Sequence, residues 1–366
     1  MRSLVSSLAL GLGVIVCAVA PSTSSSAADD SPIGILLAAG DISSGEFPNC
    51  DAKDWYRYAD KTGDIIKKTV DAAQSAQPPV PVKVLALGDI AYGEGTDEQF
   101  KCFADRWNDK DLDKGEDETI LPVPGNHEYL SPDHDAAPYF EHFKDNTFVT
   151  QKGDHKGYFA LNFPRPDGPW RLIGLNADIA RNQSKQTRKQ AMADQMDWLV
   201  KALGQPDTQQ PCVLAFWHEP MFSSGQHGHE NYSTPKPGAA LATDRSMQNA
   251  LQILYDHGAS VVLNGHDHDY EQFAPHDAKG KAAADGFRSF VVGTGGANLT
   301  HDDYIKLAPN SEGGPFGMSK GIQGVLKITL YEHRFEWDFL PIDDSKKFPL
   351  AMTKADCVAR KVPQQP

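Results

Sequence analysis

The sequence is poor in several features that define whole classes of protein. Of its 366 residues only five are cysteines, and no two of them have the Cys-x-x-Cys spacing found in many zinc sites. Lys and Arg number 35 against 49 Asp and Glu, so the formal net charge is −14. Because binding to a nucleic-acid backbone needs clustered Lys and Arg, this balance argues against nucleic acid as the main partner.

Long apolar runs are also scarce. The N-terminal one, residues 8–19, is too short to span a bilayer comfortably; it follows Arg2 and precedes small residues. Candidate cleavage sites lie at residues 18–20 and 26–28. We therefore predict a secretory signal peptide over residues 1–28 and a mature chain that is soluble, secreted and not attached to a membrane. An uncleaved membrane anchor is the alternative interpretation of this segment.

No Gly/Ser-rich or Pro-rich linker divides the middle of the chain, and no internal repeat stands out. Hydrophobic residues make up 40% of the sequence, which is ample material for one large core. The motifs described next draw on both halves of the chain. We therefore predict a single domain over residues 29–366.

The sequence does contain an ordered series of five short polar segments, each directly after a short apolar run. The apolar runs are residues 35–39, 82–87, 120–123, 213–217 and 261–263. The segments are Gly40-Asp41, Gly88-Asp89-Ile90-Ala91-Tyr92, Gly125-Asn126-His127-Glu128, Trp217-His218-Glu219-Pro220 and Gly265-His266-Asp267-His268. Runs of this length that stop at a glycine or a polar residue predict buried strands. If the strands lie side by side, their loops bring together carboxylate, phenol, amide and imidazole groups, which suit one or two metal ions of a hydrolase.

Helical patterns separate several of these strands. Thr96 with Gln99 predicts a capping box and a helix through Trp107, and apolar residues at helical spacing predict helices over 185–203 and before Gly258. The methionines on these helices are interpreted as core residues. Further strands are predicted at residues 290–292, 325–331 and 335–340. Strands that alternate with helices and end in a run of strands predict an α/β chain with two packed mixed sheets flanked by helices.

The cysteines that remain after signal cleavage are Cys50, Cys102, Cys212 and Cys357. An even number in an exported chain predicts two disulfides, although four cysteines allow three pairings. Cys50 follows the Asp41 loop and Cys102 follows the Asp89 loop, and both loops are expected at one sheet edge. We therefore favour Cys50–Cys102, which leaves Cys212–Cys357 to tie the C-terminal tail to a core strand.

The five segments resemble the motifs of the calcineurin-like metallophosphoesterases and are most similar to those of the purple acid phosphatases. Many metallophosphoesterases open with Asp-x-His, whereas this sequence has Asp41-Ile42-Ser43 and supplies Tyr92 in Gly88-Asp89-x-x-Tyr92 instead, as purple acid phosphatases do. The resemblance extends over residues 33–342. It implies a four-layer αββα sandwich with a dinuclear metal site in the loops at the carboxyl ends of the strands.

The resemblance also implies a ligand set for two metal ions. The ligands of the first ion would be Asp41, Tyr92 and His268, and those of the second Asn126, His218 and His266, with Asp89 bridging both. Residue chemistry agrees, because a bridging group must offer two anionic oxygens, which a carboxylate does and an amide does not. A phenolate ligand favours Fe(III) at the Tyr92 site, beside a divalent ion such as zinc, iron or manganese. Alternatively, Tyr92 packs under the loop and both ions are divalent.

For catalysis, the resemblance implies that His127 faces the substrate as general acid or phosphate donor. His227 matches a second substrate-facing histidine, for which His229 is the alternative. The expected reaction is hydrolysis of a small phosphate monoester by attack of a hydroxide that bridges the metals. A phosphodiesterase or nucleotidase with the same site, and a catalytically silent secreted binding protein, are the alternatives. Glu219 and Gln272 stand where related enzymes often have His and Arg, which leaves the substrate preference open.

Overall fold

The apolar runs that precede the five polar segments form strands, as the sequence predicts. The computed structural model of the chain describes residues 31–44, 50, 58–107, 112, 118–131, 135–149, 156–164, 166–204, 212–227, 245–301, 307–312, 322–343 and 354–358. The predicted signal peptide over residues 1–28 and the alternative histidine His229 lie outside the described residues.

The strands follow one another along the chain with helices between them. In chain order the strands are β1 (Gly34–Ala39), β2 (Ser43–Ser44), β3 (Val82–Leu87), β4 (Ala91–Tyr92), β5 (Ile120–Val123), β6 (Phe159–Phe163), β7 (Trp170–Gly174), β8 (Cys212–Phe216), β9 (Ala259–Asn264), β10 (Tyr270–Gln272), β11 (Arg288–Val292), β12 (Gly324–Leu330), β13 (Arg334–Pro341) and β14 (Lys354–Asp356). The helices are α1 (Ala59–Gln74), α2 (Asp97–Trp107), α3 (Ala137–His142), α4 (Lys185–Leu203) and α5 (Arg245–Asp256), with a 3₁₀ turn at Glu128–Leu130.

These strands form two six-stranded mixed sheets and a small two-stranded pair. The first sheet has the order β14-β13-β12-β1-β3-β5, and the second has the order β10-β11-β9-β8-β7-β6. In the first sheet β1, β3 and β5 run parallel. In the second sheet β7, β8, β9 and β11 run parallel. The parallel strands of each sheet therefore present their carboxyl ends, and the polar segments that follow them, at one edge.

Helices cover the two sheets on their outer sides. Helix α1 contacts β3 and β12 of the first sheet and packs against α2, whereas α5 contacts β9 of the second sheet and packs against α4. The predicted capping box is present, since Gln99 N–H donates to Thr96 Oγ1 at 3.4 Å and Thr96 N–H donates to Gln99 Oε1 at 3.1 Å. The prediction of two mixed sheets flanked by helices is confirmed.

The two sheets pack face to face through large aromatic side chains. Trp170 of β7 meets Phe335 of β13 with ring centroids 5.9 Å apart, and its indole N–H donates to the Tyr331 carbonyl at 2.7 Å. Along β8 alternate residues point to opposite faces, so that Leu214 lies in the core between the sheets, whereas Val213 lies in the core under α4 and α5. A strand buried on both faces has to be apolar throughout, which explains the continuous apolar runs.

The methionines at helical spacing lie in the second of these cores. Met192 and Met196 of α4 and Met247 of α5 are all buried there, beside the outer face of the second sheet. Their interpretation as core residues is therefore confirmed.

Both predicted disulfides are present. Cys50 is bonded to Cys102 of α2, with 5.4 Å between the Cα atoms, and Cys212 is bonded to Cys357, with 5.6 Å. The second bridge joins the start of β8 in the second sheet to the residue after β14, the edge strand of the first sheet. It thus ties the C-terminal segment to a core strand, as expected. In the part of the chain that is described, no helix combines the length and the apolar character that crossing a bilayer requires.

Candidate metal centre

The polar segments of both sheets meet at one place. Asp41 and Asp89 follow β1 and β3 of the first sheet, whereas His218 and His266 follow β8 and β9 of the second. A hydrogen bond joins the two groups of loops, since the His266 N–H donates to Asp41 Oδ2 at 2.7 Å. Within the second group, the Gly265 N–H donates to the His218 carbonyl at 2.9 Å. The convergence predicted from the order of the segments is therefore realised between two sheets and not along one.

One group of side chains surrounds the hydroxyl of Tyr92. This hydroxyl donates to Asp41 Oδ1 at 2.6 Å and lies 2.8 Å from Asp89 Oδ2 and 3.0 Å from His268 Nε2. His268 Nε2 is also 3.3 Å from Asp41 Oδ1. The groups predicted to bind the first ion thus lie within hydrogen-bonding distance of one another.

A second group lies on the other side of Asp89. His218 Nε2 is 3.2 Å from Asp89 Oδ2, and His266 Nδ1 is 3.2 Å from His218 Nε2. One ligand atom from each of Asp89, His218 and His266 lies within 4.8 Å of the other two. Because Asp89 Oδ2 contacts both Tyr92 and His218, the Asp89 carboxylate stands between the two groups.

Asn126 follows Gly125, where a Cβ atom would stand 2.8 Å from His218 Cδ2, and it supplies a further oxygen beside this group. Its Oδ1 is buried and has no hydrogen-bond partner among the described residues. A buried amide oxygen without a donor costs free energy, so its position is explained best by a cation that would bind it. Imidazole nitrogens with carboxylate, phenol and amide oxygens form a donor set that suits borderline-hard ions such as zinc or iron. The residues present therefore fit a metal centre.

Backbone carbonyls orient the histidine rings. His218 Nδ1 lies 2.8 Å from the Leu87 carbonyl and His268 Nδ1 lies 2.8 Å from the Asn298 carbonyl. A carbonyl oxygen can only accept, so in each ring Nδ1 carries a proton and Nε2 is the nitrogen that faces the centre. Such partners of the second ring nitrogen are typical of histidines that bind metals.

The charges in the centre shift the pKa values of its groups. Burial alone would raise the pKa of the Asp89 carboxyl, but His218 and His127 outweigh it and hold this pKa below its usual range. Burial would likewise lower the pKa of His218, but the Asp89 carboxylate holds it well above its usual value. Burial and the neighbouring His218 lower the pKa of His266 to about 3. His266 is therefore neutral at physiological pH, the form in which an imidazole binds a metal ion, whereas His218 would release a proton when an ion binds.

The backbone adopts uncommon conformations at three of these residues. Asp41, Asp89 and His266 have positive φ values of 59°, 46° and 72°. Non-glycine residues adopt this region rarely, and when they do they cluster at functional sites, because the surrounding structure must impose the conformation. At Gly88, where φ is 83°, a Cβ atom would stand 2.6 Å from His218 Nδ1. Glycine is thus required where the β3 loop passes under the His218 ring.

His127 lies at the accessible side of the centre. Its backbone N–H donates to Asp89 Oδ1 at 2.8 Å, and its Nδ1 lies 2.5 Å from the Gly93 carbonyl. Its ring is tilted by 49° against that of Tyr92, with the centroids 4.3 Å apart. The remaining nitrogen, Nε2, is 3.9 Å from Asp89 Oδ2. The side chain retains 29% exposure, whereas that of Asp89 retains 2%. His127 can therefore reach a molecule in the centre from the solvent side.

His227 lies beside the second group. Its ring centroid is 4.4 Å from that of His266, and its backbone N–H donates to Asp267 Oδ1 at 3.0 Å. The structure thus brings together the nine residues that the sequence singled out: Asp41, Asp89, Tyr92, Asn126, His127, His218, His227, His266 and His268.

Glu128 supports the centre in a way that sequence reasoning missed. Its buried carboxylate accepts hydrogen bonds from the backbone N–H groups of Asp89 (3.0 Å), Ile90 (2.9 Å), Ala91 (3.1 Å) and Gly125 (2.7 Å). One side chain therefore holds the β3 loop and the β5 loop together. Glu128 belongs to the third polar segment, but a sequence motif does not distinguish a ligand from a support.

Arg181 was also missed, because it follows β7, a strand that the sequence analysis did not predict. Its guanidinium Nη1 contacts both Asp178 and Glu219, the latter at 2.8 Å. The carboxylate that follows His218 is therefore paired with a cation from the adjacent loop. Ser43, in the position where many metallophosphoesterases have a histidine, accepts a hydrogen bond from Arg106 at 3.1 Å.

Comparison with known proteins agrees with this arrangement. The model of the calcineurin-like phosphoesterase family matches residues 35–270. Purple acid phosphatase 15 of Arabidopsis thaliana is 27% identical over 156 residues, which is 42% of this chain and 25% of the relative. The match thus spans only a quarter of that relative's length.

Solved structures share the fold at low sequence identity. The purple acid phosphatase PPD1 from yellow lupin (Lupinus luteus) seeds superposes with a TM-score of 0.61 and 15% identity, over 89% of this chain and 54% of that one. GAP50, the anchor in the inner membrane complex of Plasmodium, superposes with a TM-score of 0.57 and 11% sequence identity, over 91% of both chains. A dimetal phosphatase from Danio rerio superposes with a TM-score of 0.54 and 15% sequence identity, over 90% of this chain and all of that one.

The family model covers the segments from the Asp41 loop to the His266–His268 loop, and these are the segments that converge in the structure. This chain belongs to the calcineurin-like phosphoesterase family.

Proposed function

We propose that the protein is a dinuclear-metal phosphoesterase that hydrolyses small phosphate monoesters. The observation that carries the proposal is the position of Asp89, whose Oδ2 lies 2.8 Å from the Tyr92 hydroxyl and 3.2 Å from His218 Nε2. A carboxylate oxygen that faces both sets of donors is suited to bridge two ions, since it carries negative charge and more than one lone pair.

The two ions would occupy the two groups of side chains. Asp41, Tyr92 and His268 would hold the first, Asn126, His218 and His266 the second, and Asp89 both. When bound, the ions supply an acidified water as nucleophile and positive charge for the phosphoryl oxygens. The Tyr92 phenol favours Fe(III) in the first position because a strongly acidic ion is needed to replace its proton, and a divalent ion such as zinc, iron or manganese would complete the pair.

The chain's own groups would handle the proton and the leaving group. His127 reaches the centre from the solvent side with Nε2, while Nδ1 is engaged by the Gly93 carbonyl. In its protonated form it can give the Nε2 proton to the leaving oxygen of the ester, as a general acid. His227, whose ring lies next to that of His266, would donate to a phosphoryl oxygen. Glu128 fixes the loops of Asp89 and Asn126, so that these groups need little reorganisation during the reaction.

The test is a paired assay on purified, metal-analysed protein. We expect two bound metal ions per chain and hydrolysis of p-nitrophenyl phosphate that exceeds hydrolysis of bis(p-nitrophenyl) phosphate. The Asp89→Asn variant is the control for contaminating phosphatases. A preference for the bis-ester would assign the site to a phosphodiesterase. Absence of turnover with a full metal complement would favour a binding protein, and one structural relative is indeed described as an anchor in a membrane complex.

We also propose that the protein is exported. Two disulfides join the four cysteines that follow Cys17 in the sequence, and disulfides persist in oxidising compartments. Expression with residues 1–28 in place should yield extracytoplasmic protein that begins near residue 29. N-terminal sequencing checks this outcome, and intact protein that keeps residues 1–28 in the membrane fraction would support an anchor instead.

A further inference from the structure

A second charged cleft lies at the opposite end of the second sheet from the candidate metal centre. It has a volume of about 680 Å³, and Ser260 and Arg288, at the amino ends of β9 and β11, line it. His266 and its loop follow the carboxyl end of β9. At about 3.3 Å per residue, the part of β9 from Ser260 to Asn264 is roughly 13 Å long, and the His266 loop lies beyond it. This cleft is therefore separate from the centre.

The wall of the cleft is held by several independent contacts. Its outer side is the edge strand β14, which pairs with β13 in antiparallel register. The Cys212–Cys357 disulfide joins the end of this strand to the second sheet, and the Val358 N–H donates to Ser260 Oγ at 2.9 Å. The Cys357 N–H also donates to the His333 carbonyl at 2.8 Å. The cleft is thus bounded by fixed backbone and not by a loose tail.

The charge of the lining is opposite to that of the molecule. Arg288, Arg334 and Lys354 line the cleft against a single acid, Asp356, whereas the whole chain carries a net charge of −14. Arg334 is paired with Glu336 at 2.6 Å. Lys354 has no ion-pair partner among the residues that the structure describes. A cationic cleft in an acidic protein attracts anions locally.

Arg288 is the buried member of this group, with 7% exposure. Its Nη1 donates to Glu312 at 2.6 Å and to the Phe273 carbonyl at 3.3 Å, and its guanidinium lies 4.9 Å from the Trp337 ring. Its Nε–H has no hydrogen-bond partner among the described residues. A buried N–H without an acceptor is unfavourable, so the guanidinium gains a partner if an oxyanion enters the cleft beside it.

We propose that this cleft binds a small organic anion, with a carboxylate or phosphate group against Arg288 and Lys354 and an apolar body against Phe335 and Val358. The volume is within the range of small-molecule pockets, and the lining has the usual mixture of apolar walls and a few polar groups. An anion bound here is separated from the centre by the length of β9, roughly 13 Å from Ser260 to Asn264, and leaves the centre open.

Calorimetric titration of the metal-loaded full-length protein tests the proposal. The probes are benzoate and phenylphosphonate, and benzamide is the neutral control. We expect saturable binding of at least one anion below about 10 mM. Arg288→Gln should weaken it roughly tenfold or more and Lys354→Gln several-fold, because each removes a charged donor. Lys201→Gln, a charge change on helix α4, should leave the affinity unchanged.

Three results would overturn the proposal: no saturable binding of either anion, equal binding of benzamide, or affinities that neither cleft variant changes. If phenylphosphonate binds with an affinity that neither cleft variant changes, its binding site is the metal centre instead. Which of the two anions binds more tightly decides between a carboxylate and a phosphate ligand. Lys354 is exposed, so its variant tests the proposal even if Arg288→Gln fails to fold.

Discussion

The hydroxyl of Tyr92 lies 2.8 Å from Oδ2 of Asp89, three residues earlier in the same loop. It also lies 2.6 Å from Asp41 Oδ1, which comes from a different strand. One phenolic proton cannot be donated to both carboxylates at once, whereas a single cation can bind all three oxygens. The geometry therefore explains why a tyrosine in Gly88-Asp89-x-x-Tyr92 can take the place of a histidine in the first segment.

The Tyr92→Phe variant tests the identity of the first ion. If Tyr92 binds Fe(III) as a phenolate, aerobically purified wild-type protein contains iron and absorbs in the visible, and the variant loses this absorption. Visible spectra and iron analysis measure both. Tyr139→Phe is the matched control, since Tyr139 is a buried tyrosine that donates to the Pro122 carbonyl. A colourless, iron-free and fully active wild type would refute the ferric assignment but not the phosphoesterase proposal.

Asp89→Asn should abolish turnover and lower the metal content while the fold persists. The amide keeps the size of the side chain but offers one neutral oxygen in place of two anionic ones, so it cannot bridge two ions. Elemental analysis, circular dichroism and the phosphatase assay are measured on the same sample. Asp194→Asn, on the exposed face of α4, is the control. Near-wild-type activity with a full metal complement would exclude the bridging role.

His127→Ala should lower kcat by about 10²–10⁴-fold with both metals retained, because general acid catalysis contributes that much. Steady-state kinetics together with metal analysis distinguish a loss of general acid catalysis from a loss of the metal site itself. His333→Ala, at an exposed position outside the centre, should change neither quantity. If the His127→Ala variant loses metal instead, His127 either binds a metal ion itself or holds a metal ligand in position.

Glu128→Gln should destabilise the protein by about 2–6 kcal/mol. The carboxylate accepts four backbone N–H groups, and a glutamine amide would direct its own N–H₂ group at two of them, leaving buried donors unpaired at about 1–3 kcal/mol each. Denaturant unfolding measures the change. Glu141→Gln is the control, since Glu141 makes an exposed ion pair with Lys144. If Glu128→Gln lowers the free energy of unfolding as little as Glu141→Gln does, the four contacts do not hold the loops.

Protein purified without reductant should contain no free thiol, with Cys50 joined to Cys102 and Cys212 to Cys357. Peptide mapping of the unreduced protein identifies the pairs, and thiol titration checks completeness. Breaking the Cys212–Cys357 bridge by serine substitution should cost about 4–5 kcal/mol, because it closes a loop of more than a hundred residues. Cys50 paired with another cysteine, or titratable thiols, would contradict the assignment.

Much of the centre could be predicted from the sequence. The segments around Asp41, Asp89, Asn126, His218 and His266 could be placed at strand ends because each directly follows an apolar run, and this relationship is local. Thr96 and Gln99 likewise marked the start of α2, since a capping box depends on residues three apart. The Cys50–Cys102 pair followed from the expectation that two strand-end loops share one edge.

Other elements had weaker local signals. Helix α1, the short helix α3, the edge strand β14 and the pair β6 and β7 were not predicted. In β6 the burial alternates, with Ala160 and Asn162 partly exposed, so no continuous apolar run marks it. Since β7 was missed, its loop and Arg181 were missed too.

The order, spacing and chemistry of the polar segments were therefore determined by the sequence alone, because each depends on neighbours a few residues away. Tertiary structure alone decided that the loops of two different sheets face one another and that Glu128 holds the β3 and β5 loops together. It also decided that Arg181 pairs with Glu219 and that Arg288 and Lys354 share a cleft. These relationships join residues from distant parts of the chain. They arise from the pairing of strands within each sheet and from the packing of the two sheets against each other, which no local pattern of residues encodes.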